Sequence, residues 1–259
     1  MQWFRLSIVL AVLTISVVLV GRTSGEMILY FSFNEGEGEE VSNELGSGNN
    51  GTVHDTKWVD GKYGKALQFN GQTSYVLVPS FSSLNMTTQF TVEAWVNPVQ
   101  LPESTIFQKK EIGQADGAME YSLISNGWGA YGQGLSGNIQ GQFFNLAATL
   151  NTNIWQHVAI VYDPGSVICY VNGDKVGEAS VPAEIENKDG DLLLGEHVSV
   201  NKTADTGDFL FNGIIDEFVI YNETLSQAEI RKDMTVISLA VSPKGKMAEI
   251  WAKVKRGIR

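Results

Sequence analysis

Apolar residues recur at every second position along much of this chain. In residues 90–97, Phe90, Val92, Ala94 and Val96 fall on one side and Trp95 on the other. That period of two is the mark of a half-buried β-strand. The same signal predicts strands over residues 27–33, 66–69, 75–78, 119–124, 137–144, 155–162, 167–172, 175–179, 191–194 and 214–221. Turn chemistry separates them. Asn70 to Ser74 predicts a hairpin between 66–69 and 75–78. Asp163-Pro164-Gly165-Ser166 and Asn172-Gly173-Asp174 predict two further reversals, because Gly and Asn accept positive φ and Pro presets a corner. One short helix is expected over 227–233, opened by Ser226 with Glu229 as its returning acid. Many short strands without long helices between them define an all-β class, an antiparallel β-sandwich of jelly-roll type.

The strand expected at 214–221 carries two adjacent carboxylates. Strict alternation puts Asp216 on a face with Ile214, Phe218 and Ile220, and Glu217 on the other with Ile215, Val219 and Tyr221. A carboxylate among aliphatics is costly unless a donor or a cation pairs with it. Backbone N–H groups, a lysine or a metal ion would each serve.

The chain ends differ from its body. Residues 1–25 combine one early positive charge, an apolar run from Leu6 to Val20 and small residues at 23–25, the layout of a secretory signal peptide. The run is short for a membrane span, which needs about 20 residues, so export with cleavage near Glu26 is expected and an uncleaved anchor is the alternative. The body, residues 26–237, holds 10 Lys/Arg against 28 Asp/Glu, a net of −18. Residues 238–259 hold six basic residues against Glu249, a net of +5. An acidic body argues against nucleic acid as partner, since phosphate binding needs a basic face. In the tail, Met247, Ile250, Trp251 and Val254 share one face of a short amphipathic helix. Such a tail suits the acidic body, a partner protein or an anionic surface. Cys169 is the single cysteine, so no intrachain disulfide forms, and in a strand it reads as a small buried hydrophobe.

Seven motifs then occur in one order. They are MILYFSFNE (27–35), NELGSGNNG (43–51), GKYGKALQFNG (61–71), FTVEAWV (90–96), WQHVAIVY (155–162), YVNG (170–173) and FNGIIDEFVIY (211–221), the last followed by Leu225-Ser226 and Glu229-Ile230. Together they resemble a laminin-G-like, concanavalin A-like jelly-roll domain of the bacterial lectin/glucanase type, across about residues 27–232. The resemblance implies two curved antiparallel sheets with the first and last strands side by side, and an inter-sheet core of Phe31, Phe33, Phe69, Trp95, Trp155 and Phe218. It also implies a structural calcium ion held by Asn34, Asn43, the carbonyl of Gly46 and Asp216. Calcium takes six to eight oxygens, and Asn43 stands where the family usually has an aspartate.

For function, the resemblance implies a non-catalytic extracellular or cell-envelope binding module for carbohydrate or for another protein. Glucan hydrolases need two carboxylates flanking the scissile bond, and no Glu-x-Asp-x-Glu run is present. The acid-rich run 184–189 follows Pro182 in a polar connection, and His157 sits at the family's usual histidine position, where a structural role is expected. No Gly-x-Ser-x-Gly elbow, zinc spacing or phosphate loop occurs. The ligand-binding expectation falls on loop 126–142, where Trp128 and Tyr131 lie among Gly, Ser, Asn and Gln. Aromatic rings there would stack on sugar faces while amides bond the hydroxyls.

Overall fold

The computed structural model of the protein describes residues 26–111, 119–126, 134–146, 148–186, 188–198, 204 and 207–240. The signal-type segment, the amphipathic tail, and Trp128 and Tyr131 lie outside the described residues.

Two antiparallel sheets face each other. Sheet A runs in the order β14 (Asp174–Ser180), β13 (Ser166–Val171), β12 (Gln156–Asp163), β7 (Phe90–Pro98), β16 (Asn212–Tyr221), β5 (Lys65–Asn70), β4 (Lys57–Asp60), and β1 (Met27–Phe31) also pairs with β16. Sheet B runs β11 (Gln142–Asn145), β10 (Ser136–Ile139), β9 (Met119–Ile124), β8 (Thr105–Lys110), β15 (Asp191–Leu194), β6 (Tyr75–Val78), β3 (Gly51–His54), β2 (Glu40–Val41). The first and last strands are neighbours as expected, with Phe31 opposite Phe218.

The inner faces of both sheets form one core. Phe31, Phe33, Phe69, Val92, Ala94, Phe218 and Ile220 from one side meet Phe107, Tyr121, Leu123, Leu192 and Leu194 from the other. Cys169 is buried in it, and burial pushes its thiol up to about 12, so it behaves as a packing group. Two of the expected core aromatics belong elsewhere. Trp95 alternates out of the core onto the outer face of sheet A, where it meets the His157 ring edge-on at 5.4 Å and lies under Lys62 Nζ. Trp155 is half-buried just before β12.

Strict alternation fails at the two acids. The register of β16 on β7 shifts between Asp216 and Val219, and Glu217 takes a φ of +51°. This β-bulge inserts one residue and turns the following side chains over. Phe218 and Ile220 therefore join Ile215 in the core. Asp216 lies opposite Trp95 on the outer face with Val219 opposite Glu93. The grouping of Asp216 with Phe218 and Ile220 is thus corrected by a bulge that no periodicity announces.

Two connections also differ from expectation. Residues 70–74 join β5 in sheet A to β6 in sheet B, so they arch between layers and close no hairpin. Asn70 Oδ1 accepts from the N–H groups of Gln72, Thr73 and Ser74, which fixes the arch without strand pairing across it. The stretch 137–144 is two strands that reverse at Gln140 and Gly141, both at positive φ. The helix is α1 (Gln227–Ala240), longer than expected, and its start is the expected capping box between Ser226 and Glu229. It packs on the outer face of sheet A. Ile230 is buried there with Tyr30, Ala159, Val161, Tyr170, Val219 and Tyr221. Among the described residues no helix is long and apolar enough to cross a membrane.

Candidate functional sites

The seam of the first and last strands holds the residues that the resemblance marks for calcium. Asp216 is buried, and its Oδ2 accepts from the Tyr63 N–H at 2.9 Å while Oδ1 accepts from the Glu217 N–H at 2.9 Å. Asn34 Oδ1 accepts from the Lys65 N–H at 2.9 Å. Asp216 and Asn34 thus grip one turn, closed by Gly61 N–H to the Gly64 carbonyl. Gly64, at φ +73°, has no room for a side chain, because a Cβ would lie 2.0 Å from Asn34 Oδ1. Burial pushes the Asp216 carboxyl up to about 7, with the backbone donors pulling it back. Burial likewise pushes Glu217 up to about 8, eased by the Tyr30 hydroxyl, which donates to its Oε2, and aggravated by Asp216 and Glu44. Tyr30 itself is held well above the usual phenol range, chiefly by burial.

Asn43 makes a separate clasp. Its Oδ1 accepts from the N–H groups of Tyr30 at 3.2 Å and Leu45 at 3.3 Å, and its carbonyl accepts from the Gly46 N–H. Tyr30 stands opposite Val219, three residues along β16 from Asp216. Asn43 and Gly46 are thus tied to β1, and Asn34 and Asp216 to the 61–64 turn. Among the described residues, no three His, Cys, Asp or Glu side chains gather as a metal-holding group.

A second buried group lies on the outer face of sheet A, near α1. Glu93 is buried on β7 and neither of its oxygens has a hydrogen bond. His157 Nε2 stands 3.5 Å from Glu93 Oε2. Burial raises the Glu93 carboxyl, and His157 pulls it down. Asp233 of α1 is also raised by burial; its Oδ2 accepts from the Tyr221 hydroxyl at 2.8 Å. His157 Nε2 is thus the polar group that faces this buried acid.

The outer face of sheet B carries a row that sequence reading passed over. Gln108 of β8 is opposite Ser122 of β9, and Ser122 is opposite Asn138 of β10. All three are fully buried. Neither end of the Gln108 amide, the Ser122 hydroxyl nor Asn138 Nδ2 has a hydrogen-bond partner, although Asn138 Oδ1 accepts from the Gly141 N–H. Beside the row, Lys109 Nζ donates to Glu120 Oε1 at 2.5 Å and to the Lys188 carbonyl at 2.8 Å, and Lys110 Nζ donates to the Val198 carbonyl at 2.8 Å. Burial lowers Lys109 and raises Glu120, each partly offset by the other. The signal available in the sequence was polar residues at every second position of 120–122 and 136–138.

The loop expected to bind ligand is tied at its described ends. Asn126 Nδ2 donates to the Leu101 carbonyl and Asn126 Oδ1 accepts from the Gly134 N–H. Glu186 pairs with Lys188, and Asp189 accepts from Asn85.

Two facing antiparallel sheets with joined termini define a lectin-type jelly roll. The chain belongs to the concanavalin A-like lectin/glucanases superfamily, whose laminin-G type 3 family model matches residues 70–231. Its fold is similar to domain 4 of AbnA, a GH43 extracellular arabinanase from Geobacillus stearothermophilus solved in complex with arabinotriose. That likeness has a TM-score of 0.65 and 24% identity, and covers 80% of this chain and 98% of that one. It is also similar to the binding domain of botulinum neurotoxin serotype G, with a TM-score of 0.58 and 17% identity over 83% of this chain and 52% of that one. A curated protein of Saccharophagus degradans named elongation factor Ts is 24% identical over 190 residues, 70% of this chain. The chain spans 63% of the length of that relative.

Proposed function

We propose that this protein is a non-catalytic carbohydrate-binding module that works outside the cytoplasm. The observation that carries this reading is the fold-likeness along 98% of a domain solved with a bound arabinose trisaccharide. The local chemistry supports it. The buried acids of sheet A are faced by N–H groups, a phenol and an imidazole, and the sequence has no Glu-x-Asp-x-Glu run of the kind that pairs carboxylates for glycoside hydrolysis. Trp128 and Tyr131 are the proposed stacking residues, since an aromatic ring offers a flat apolar face and a polar edge to a sugar. Residues 1–25 are proposed to export the chain, and the basic tail to meet an acidic partner or surface.

A panel of neutral and acidic oligosaccharides, arabino-oligosaccharides included, tests the reading on the full chain by calorimetry. Saturable binding to at least one glycan is expected, with a loss of roughly tenfold or more in Trp128→Ala, about the worth of one stacked ring. Binding to no glycan, alongside saturable binding to a protein receptor, would replace this reading with the protein-binding alternative.

Calcium enters this reading as a test. A calcium ion shared by Asn34, Asn43, the Gly46 carbonyl and Asp216 would join the two clasps of the seam, so the melting midpoint is expected to rise by several degrees in calcium over chelator. An unchanged midpoint would remove the ion from this reading.

A further inference from the structure

We infer that Lys109 and Glu120 join through an amide bond between their side chains, a covalent tie across β8 and β9. The two strands are neighbours inside sheet B, and their ladder shifts register between Lys109 and Lys110. Lys109 Nζ is 2.5 Å from Glu120 Oε1, and both side chains are closed to solvent. Oε1 is bonded to the carbon that an amine must attack. The reactants are therefore held together by the fold, which replaces a chance encounter with a standing one.

An ion pair leaves this site incompletely matched. A charged lysine carries three donors, and Lys109 Nζ has two acceptors, Glu120 Oε1 and the Lys188 carbonyl at 2.8 Å. Glu120 Oε2 is buried without a hydrogen-bond partner. Attraction inside a buried ion pair repays its desolvation only when the remaining protons and lone pairs are also satisfied. An amide presents just one N–H and one C=O. The Lys188 carbonyl stands ready for the first, and the Gly190 N–H, which donates to the Glu120 carboxyl, stands ready for the second. The unmatched oxygen and the surplus protons are what the reaction removes.

The step balances within the pair. Burial lowers Lys109 and raises Glu120, so one proton passes from ammonium to carboxylate and leaves a neutral amine and acid. The amine nitrogen adds to Glu120 Cδ, a desolvated lysine being a competent nucleophile. One Glu120 oxygen then departs as water, with the acid proton and one amine proton. One C–N bond forms, one C–O bond breaks, and no oxidant or reductant is needed. Asp189 and Asp191 also act on Lys109, but their carboxyls accept from Asn85 and from the Ser80 N–H. No route from solvent is required, because both reactants belong to the chain. Cys169 has no second cysteine to pair with, and the amide closes a loop as a disulfide would.

Mass spectrometry of the full chain, digested after denaturation, tests this. Chymotrypsin, cutting after Phe107 and Tyr121, is expected to release fragment 108–121 lighter by one water than its sequence requires. Trypsin then cuts after Lys110. The pieces are expected to remain one molecule in wild type and to separate in Lys109→Met and in Glu120→Ala. Separation in wild type, at full mass, would show an ion pair alone and overturn the inference. A missing water that persists in Lys109→Met would overturn it too, since the loss would then lie elsewhere, as at Asp116-Gly117. Fragmentation of the wild-type piece is expected to place the branch at Lys109 and Glu120, a readout independent of how well the variants fold.

Discussion

Alanine at Phe218 is expected to remove about 3–5 kcal/mol of stability, the range for deleting a fully buried ring from a packed core. The ring meets Phe107 of the opposite sheet at 5.7 Å and 67°, and its backbone lies opposite Phe31 of β1. It is inaccessible to solvent. Phe218 therefore joins the last strand both to the first strand and across the sandwich, and the loss is felt in both layers. The bulge adds to the expected size. Glu217, at positive φ, is held there while Phe218 points inward, so the void cannot close by a simple slip of register without turning Asp216 into the core. The measurement is urea unfolding of wild type and variant. A lower midpoint with an unchanged slope is expected. A loss below about 1 kcal/mol would mean that the ring is not wedged between the sheets.

The same strand shows what could be read from the sequence and what could not. Periodicity identified residues 214–221 as a strand, and turn chemistry placed both reversals around β13 correctly, because those signals are local. The bulge at Glu217 is not local: it follows from how β16 pairs with β7 and with β1 at once. The arch at 70–74 was misread for a similar reason. Its Asn-Gly looks like hairpin chemistry, but whether two strands stay in one sheet depends on partners far away in the chain. β8 escaped notice because its end, Gln108-Lys109-Lys110, reads as exposed polar chain. Its burial depends on Glu120 and on carbonyls contributed by residues 188 and 198. An acid in an apolar strand, as at Asp216, is conspicuous in sequence, and an amide beside two lysines, as at Gln108, is not. Trp128 and Tyr131, the residues marked for ligand, lie outside the described residues.

Removing the imidazole of His157 is expected to cost about 1–3 kcal/mol near pH 8, the range for leaving a buried polar group without its partner, and distinctly less near pH 5. Glu93 has no hydrogen bond on either oxygen, and His157 Nε2 at 3.5 Å is its counter-group. The other groups around the pair do not replace it. Asp233 raises Glu93 further, and the Tyr221 hydroxyl is already donated to Asp233. The sign follows from proton linkage. Glu93 is raised by burial, so the folded chain holds this proton more tightly than the unfolded chain, where a glutamate titrates near about 4.3. Stability from such a group is full below the unfolded value and shrinks as pH rises towards the folded one. Asp233 is shifted the same way, so it adds to the loss at high pH. Without His157 the Glu93 carboxyl rises further, which widens the window over which stability is lost. Urea midpoints of wild type and His157→Ala at pH 5 and pH 8 measure this. Glu93→Gln in the His157→Ala background should recover most of the difference at pH 8, because a neutral amide needs no counter-charge. An equal cost at both pH values would show that the ring serves only as packing against Trp95, and the pairing with Glu93 would then carry no stability.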